Sequence, residues 1–343
     1  MQDDTRKKFD AFAVAMAETY GVESLRQEFS IAPTIQQNLR NKIIEQSTFL
    51  PKINTFPVEE LEGEVLLGAA NSRVVSRTNT KVKGKKRVPR NIAGMESHKY
   101  KLNKINADIA ISYDLIDAWA KFKDFPERIQ KWTQEAIAND WETIGWYGES
   151  CEEDTDLEAN PNLEDVSKGW MQHAREYKGG KNVISSGATA DEVRIGIDGD
   201  YPNLDVAVND MTTVIPTYKR KGLVVLVGTD LIAHERAQLF AAVGGKPTEK
   251  NAMNMAMSTL GGLPWETPSN FPPRGLVVTS LDNLSIYEQA GKTRRRIKDE
   301  PDSDQIEDYS SRNMGYVIED LEKFVALEFK NVKMPNAESN GWE

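Results

Sequence analysis

The chain has 343 residues, room for one large domain or two ordinary ones, and its 39% hydrophobic and 28% charged residues mark a folded protein and exclude a disordered one. Its 53 Asp and Glu against 43 Lys and Arg leave a formal net charge of -10, which excludes wholesale coating of nucleic acid. The single cysteine, Cys151, excludes an intramolecular disulfide framework and points to a reducing compartment, and no window approaches the roughly 18 apolar residues of a membrane-spanning helix.

The opening stretch MQDDTRKKFDAFAVAMAETYG is not built as a secretory leader, because Asp3, Asp4 and Asp10 interrupt it. Phe9, Phe12, Ala13, Met16 and Tyr20 recur at three- and four-residue steps and predict a helix that Gly21 stops. SLRQEFSIAPT is polar and is expected to be extended or exposed. After Pro33 a second amphipathic helix carries Ile35, Leu39, Ile43 and Ile44.

LEGEVLLGAA and KYKLNKINADIAISY predict strands, the second through the alternation of Tyr100, Leu102 and Ile105 and then Ile109 and Ile111. Between them lies SRTNTKVKGKKRVPRN, with Arg77, Lys81, Lys83, Lys85, Lys86, Arg87 and Arg90 and no acid. The simplest arrangement is a long hairpin-like excursion with a charged tip, and excursions of this length usually carry function or contacts. YDLIDAWAKF is expected to be helical. Beyond Pro126, Ile129, Trp132, Ala136, Ile137, Trp141 and Ile144 form one stripe of a long helix.

From Trp132 to Ser167 there is no Lys or Arg, while Glu135, Asp140, Glu142, Glu149, Glu152, Glu153 and Asp154 fall within the interval. A solvated acidic face is the bland reading. Paired with the basic stretch, a contact between opposite blocks is the sharper one. LEDVSKGWMQHAREY is expected to be helical, and LDVAVNDMTTVI to pass from strand into helix. KGLVVLVG and RGLVVTS read as buried strands, LIAHERAQLF as a helix, and NMGYVIED and KFVALEFKNVK as closing strands. The mixture is α+β, without repeats.

Reaction signatures are missing. His98, His173 and His234 have no partner at metal-ligand spacing and read as surface or capping histidines. VGGKPTEK lacks the phosphate-loop pattern, and GIDGDYPNLD reads as a turn around Asp198 and Asp200. Cys151 sits among acids, which raise a thiol's pKa and disfavour a nucleophile. The alternating Met253, Met255 and Met257 suit a core segment or, less commonly, a partner surface. The absence of such signatures in so long a chain favours a structural or binding protein over an enzyme.

The segments RKKFDAF, FLPKINTFPVEELEGE, YDLIDAWAKFKDFPERI, NPNLEDVSKGWMQ, NLSIYEQAGKTRRRIKDEP and GYVIEDLEKF, in this order over nearly the whole chain, resemble the major capsid protein of P2-like tailed bacteriophages. The resemblance implies the HK97-like fold: an N-terminal arm over 1–48, an extended loop and its flanking strands over 49–111, and a peripheral domain over 112–180 with a spine helix over 126–147. An axial domain over 181–323 and a return to the peripheral domain over 324–343 complete it. The resemblance further implies hexamers and pentamers of this chain closing an icosahedral shell around double-stranded DNA, with no catalytic role, cofactor or metal. Implied partners are further copies, an internal scaffold and protease, and a portal protein, with the packaged DNA bound without sequence preference and no membrane. The implied location is the virion capsid, assembled in the bacterial host cytoplasm. Processing of the N-terminal arm is expected near Phe29 and Ser30.

On this reading the basic stretch lies at the tip of the extended loop, and the acidic interval is its partner on a neighbouring subunit. A nucleic-acid-binding protein gripping with the same stretch is the alternative, opposed by the lack of interleaved aromatic residues from Arg77 to Arg90.

Overall fold

The computed structural model describes residues 3–70, 75, 77–79, 81–82, 84–87, 93–119, 122, 125–242, 258–335 and 341–343. Its helices are α1 (Asp3–Tyr20), α2 (Pro33–Ile44), α3 (Tyr113–Trp119), α4 (Phe125–Tyr147), α5 (Trp170–Glu176), α6 (Leu204–Val214) and α7 (Thr229–Ala242). Its strands are β1 (Phe29–Ser30), β2 (Asn54–Val58), β3 (Glu62–Ala70), β4 (Ala93–Lys101), β5 (Asn103–Asn106), β6 (Ile109–Ser112), β7 (Val183–Ile184) and β8 (Val193–Arg194), followed by β9 (Val224–Val227), β10 (Trp265–Glu266), β11 (Leu276–Thr279), β12 (Leu284–Gln289), β13 (Arg294–Glu300), β14 (Gln305–Ile318), β15 (Val325–Leu327) and β16 (Val332–Lys333). VGGKPTEK and all of NAMNMAMS except Ser258 lie outside the described residues.

The apolar spacing of the first segments produces the helices it predicts. Met16 of α1 is buried with Leu25 against Tyr113, Ile116, Ile297 and Ile306, and Gly21 ends the helix at φ +66, a conformation that suits glycine. Pro33 opens α2, where its missing N–H costs nothing. The segment between the two is less exposed than its polarity suggests. Leu25 and Ile31 are buried, and Phe29–Ser30 pairs antiparallel with Arg295 and Arg294 of β13.

Two expectations give way. LEDVSKG is not helical: Leu163 sits at φ +61, and α5 begins only at Trp170. The reason is close packing at Gly169, where a Cβ would stand 2.4 Å from the carbonyl oxygens of Gly145 and Ile144. LDVAVNDMTTV is helical throughout. Asn203 caps it by accepting from the Val206 N–H at 2.9 Å, and Leu204, Ala207, Val208 and Met211 bury one face, so the helical period overrides the β-branched residues.

Two sheets organise the body. The larger runs β1-β13-β14-β12-β2, with β5 and β6 also paired to the long β14; the smaller runs β10-β9-β11-β15-β7. In the smaller sheet Val225 and Val227 face a core shared with α6 and α7, while the alternate residue Leu226 faces the opposite core. Both faces are therefore buried, which explains the unbroken apolar runs KGLVVLVG and RGLVVTS. In the second core Phe49, Trp146, Trp170, Phe271 and Tyr316 meet with ring centroids 4.7–6.4 Å apart. The Trp170 indole N–H donates to the Ser285 carbonyl at 3.2 Å, and the Tyr316 hydroxyl to the Trp141 carbonyl at 2.8 Å. This cluster fastens α4 and α5 to the large sheet.

Candidate inter-subunit surface

β3 and β4 form a two-stranded antiparallel ribbon in unbroken register from Glu62↔Lys101 to Ala70↔Ala93. Nine paired residues make it about 30 Å long. Its root is fixed by Val65 and Tyr100, packed with Leu102 on Tyr287 and Val317 of the large sheet. Tyr100 and Tyr287 meet edge-to-face at 5.0 Å. A free two-stranded ribbon is marginal in water, so an element of this length needs a surface to lie on.

At the far end of the ribbon, Arg77, Lys81, Lys85, Lys86 and Arg87 are all exposed; Lys83 and Arg90 lie outside the described residues. The Lys85 N–H donates to the Val82 carbonyl at 3.1 Å.

The acidic residues divide. Glu135, Asp140, Glu152, Glu153 and Asp154 are exposed. Glu142 is not available to a neighbour: it is fully buried and accepts from Ser47 Oγ at 3.1 Å and from the Asn270 N–H at 3.2 Å. Burial pushes its carboxyl up, and these donors pull it partly back. Its place on the helix explains the miss. The first half of α4 is partly open, while the second half, with Trp141, Ile144 and Trp146, is enclosed by the aromatic core. Glu149 is held within the chain by Arg175 at 3.1 Å and Lys330 at 2.6 Å. The loop beyond it is built by its own acids. Asp165 accepts from the Asp156 N–H at 2.8 Å and from Asn160 Nδ2 at 3.0 Å, and Asp156 accepts from the Glu158 N–H at 2.9 Å. This scaffolding leaves Glu152, Glu153 and Asp154 outward. Cys151 beside them is exposed, with its thiol pushed up by partial burial and by Glu152.

Two groupings escaped the sequence reading. His98 of β4 lies beside Ile318 and His173 of α5 beside Tyr316, and the buried His98 Nε2 has no partner among the described residues. Ile318 and Tyr316 stand two apart on β14, so the two imidazoles lie close together against that strand beside the ribbon's root. Both rings are pushed below the ordinary imidazole value chiefly by burial, and the charge of His98 further lowers His173. The second grouping is buried: Arg40 and Arg312 share the single carboxylate of Glu288, at 3.5 and 3.7 Å. Neither could be found from spacing, because each joins residues from distant segments.

A family model described as the phage major capsid protein, P2 family, matches residues 8–329. The chain is 34% identical over 335 residues to the capsid proteins of Escherichia phage P2, spanning 93% of this chain and 92% of that sequence. It is 30% identical over 332 residues to the major capsid protein of Serratia phage KSP20, spanning 93% and 94%. Among solved structures it is similar to a chain of the satellite phage P4 procapsid that includes the size determination (Sid) protein, with a TM-score of 0.76, 31% identity, and 97% and 99% of the two chains covered.

Proposed function

The chain belongs to the P2 family of phage major capsid proteins and has their HK97-like fold, and we propose that the β3–β4 ribbon of each copy lies across the outward acidic face of a neighbour as the shell closes. As a major capsid protein it forms the icosahedral shell of a phage virion by assembling with itself. The observation that carries the contact is the exposure of one basic cluster between the strands of a ribbon rooted on the large sheet, together with the exposure of Glu135, Asp140, Glu152, Glu153 and Asp154 in the base-free stretch of the same chain. Glu142 and Glu149, already engaged within the chain, are left out of it.

An exposed ion pair contributes only about 0–1 kcal/mol. The contact therefore sets register more than affinity: a wrongly placed neighbour would bring like charges together. Hexamers and pentamers are the ring-forming units in this reading. The arm is 1–48, the extended loop 49–111, the peripheral domain 112–180 with its return at 324–343, and the axial domain 181–323. Assembly takes place in the host cytoplasm with an internal scaffold and protease and a portal protein, and the closed shell encloses double-stranded DNA. We assign the chain no catalytic role. The reading of the basic stretch as a nucleic-acid grip gains no support from the relatives.

Processing at Phe29–Ser30 would cut a two-residue edge strand, the shortest in the large sheet and the easiest to peel from it. Mass measurement of subunits from mature particles locates the cut.

The test of the clasp is the triple change Lys85→Glu, Lys86→Glu, Arg87→Glu. The variant subunit should keep the circular dichroism and melting of the parent while the yield of closed shells in electron micrographs falls at least several-fold. Shells of normal yield and shape would overturn the proposal.

A further inference from the structure

An open groove of about 1230 Å³ runs between α1, α2, the first half of α4 and the face of the large sheet. Phe12 and Met16 from α1, Leu39 from α2, Ile129 from α4, and Ile109 and Ile111 from β6 make its sides apolar. The sheet contributes a charge that its surroundings do not balance. Arg312 is 3% exposed and stacks on Trp141 at 4.9 Å. Its Nη1 stands 3.7 Å from Glu288, too far for a good hydrogen bond, and that carboxylate also faces Arg40 at 3.5 Å. The Nε atoms of both arginines are buried without a partner. Arg295, which also lines the groove, is by contrast fully engaged by Asp308 and Tyr20. Two buried cations thus share one anion, and the one that lines the groove lacks an acceptor.

Leaving a buried cation short of acceptors is costly, and a carboxylate brought through the groove would relieve it. The groove exceeds the roughly 300–1,000 Å³ of small-molecule sites. A helix about 10–12 Å across fills some 420–610 Å³ per turn, so the space fits about two to three turns. We infer that this groove seats an amphipathic helix of a second, different protein, with its apolar side on the walls and one Asp or Glu directed at Arg312. The ribbon tip of another copy has the wrong sign of charge. Of the helices of another copy, α6 already buries Leu204, Ala207, Val208 and Met211 in its own core, and α1 buries Met16 against Leu25, Tyr113 and Ile297.

The probes are a stapled amphipathic peptide of about ten residues with one Glu on its apolar side, and its twin with Gln at that position. Fluorescence anisotropy with the full chain should show the Glu peptide binding at least about tenfold more tightly than the Gln twin. Arg312→Met should abolish that preference, and Leu39→Arg should weaken both peptides. Equal binding of the twins by the unaltered protein, no binding of either, or undiminished binding to Leu39→Arg would overturn the inference. The comparison of twins on the unaltered protein decides even if Arg312→Met fails to fold. A photo-crosslinking residue at Gln134 supplies a second check. If it joins copies of this chain to each other in shells assembled from it alone, the occupant is a second copy and the inference fails.

Discussion

His98 and His173 hold a proton less readily than free imidazoles, chiefly because burial penalises the charged ring. Glu319 and Asp320 near His98, and Glu176 near His173, work the other way; Lys168 and the opposing histidine add to the depression at His173. A histidine with a depressed folded pKa stabilises the fold above its unfolded value of about 6.5, and that contribution is lost as pH falls through the folded value. The ribbon's root should therefore loosen as pH falls below the ordinary imidazole value of about 6.5. Hydrogen exchange at Tyr100–Leu102 should accelerate between pH 7.5 and 5 beyond the intrinsic change, and His98→Gln should flatten that extra response. An equal response in His98→Gln would show that the histidine does not govern the root. In sequence the histidines read as surface or capping residues, and the burial of both rings overturns the surface reading. Their surroundings are set by where β4 and α5 meet β14, which no spacing reveals. Glu142 and Glu135 stand seven apart on α4, nearly on one face, yet one is fully buried and the other exposed. The difference comes from where the body closes over the helix.

α4 and α5 are joined by contact at glycine. A Cβ at Gly145 would stand 2.3 Å from the Trp170 ring, and one at Gly169 would strike the carbonyl of Gly145. Gly145→Ala should destabilise by about 1–3 kcal/mol, since the enclosed indole cannot retreat. It should lower the melting temperature of the subunit, and pairing it with Trp170→Phe should recover part of the loss. If Gly145→Ala melts with the parent, the two helices do not meet this closely. This junction marks a boundary of what sequence could tell. Helices with a single apolar stripe, such as α1, α2 and α4, and strands buried on both faces, such as β9 and β11, follow from residue spacing alone. β12 and β13 do not. NLSIYEQ buries Ser285, Glu288 and Gln289, and RRRIKDE buries only Ile297 between charged neighbours, because both lie inside a sheet whose polar residues pair with one another. The basic tip and the acidic stretch were legible as charge blocks, but which acids remain outward depended on the folded loop from Cys151 to Asp165.

For the whole molecule, a net charge of -10 and a localised clasp of opposite sign respond to salt over different distances. Near 0.01 M salt the screening length is about 30 Å, and subunits of like net charge repel across their whole width. Near 0.15 M it is about 8 Å, so that repulsion is largely removed while contacts within 4 Å persist; near 1 M it is about 3 Å, and the exposed pairs weaken as well. Assembly of the unaltered chain should therefore rise and then fall with salt, with its maximum near physiological ionic strength. Lys85→Glu, Lys86→Glu, Arg87→Glu removes the attraction and adds to the repulsion, so its assembly should only rise. A control with the same added charge, Lys181→Glu, Lys221→Glu, Lys292→Glu at exposed positions away from the ribbon, adds repulsion alone. Its maximum should survive but move to higher salt. Light scattering of the three proteins across the range separates the terms. If the tip variant follows the control at every salt concentration, net charge governs assembly and the ribbon tip makes no contact of its own.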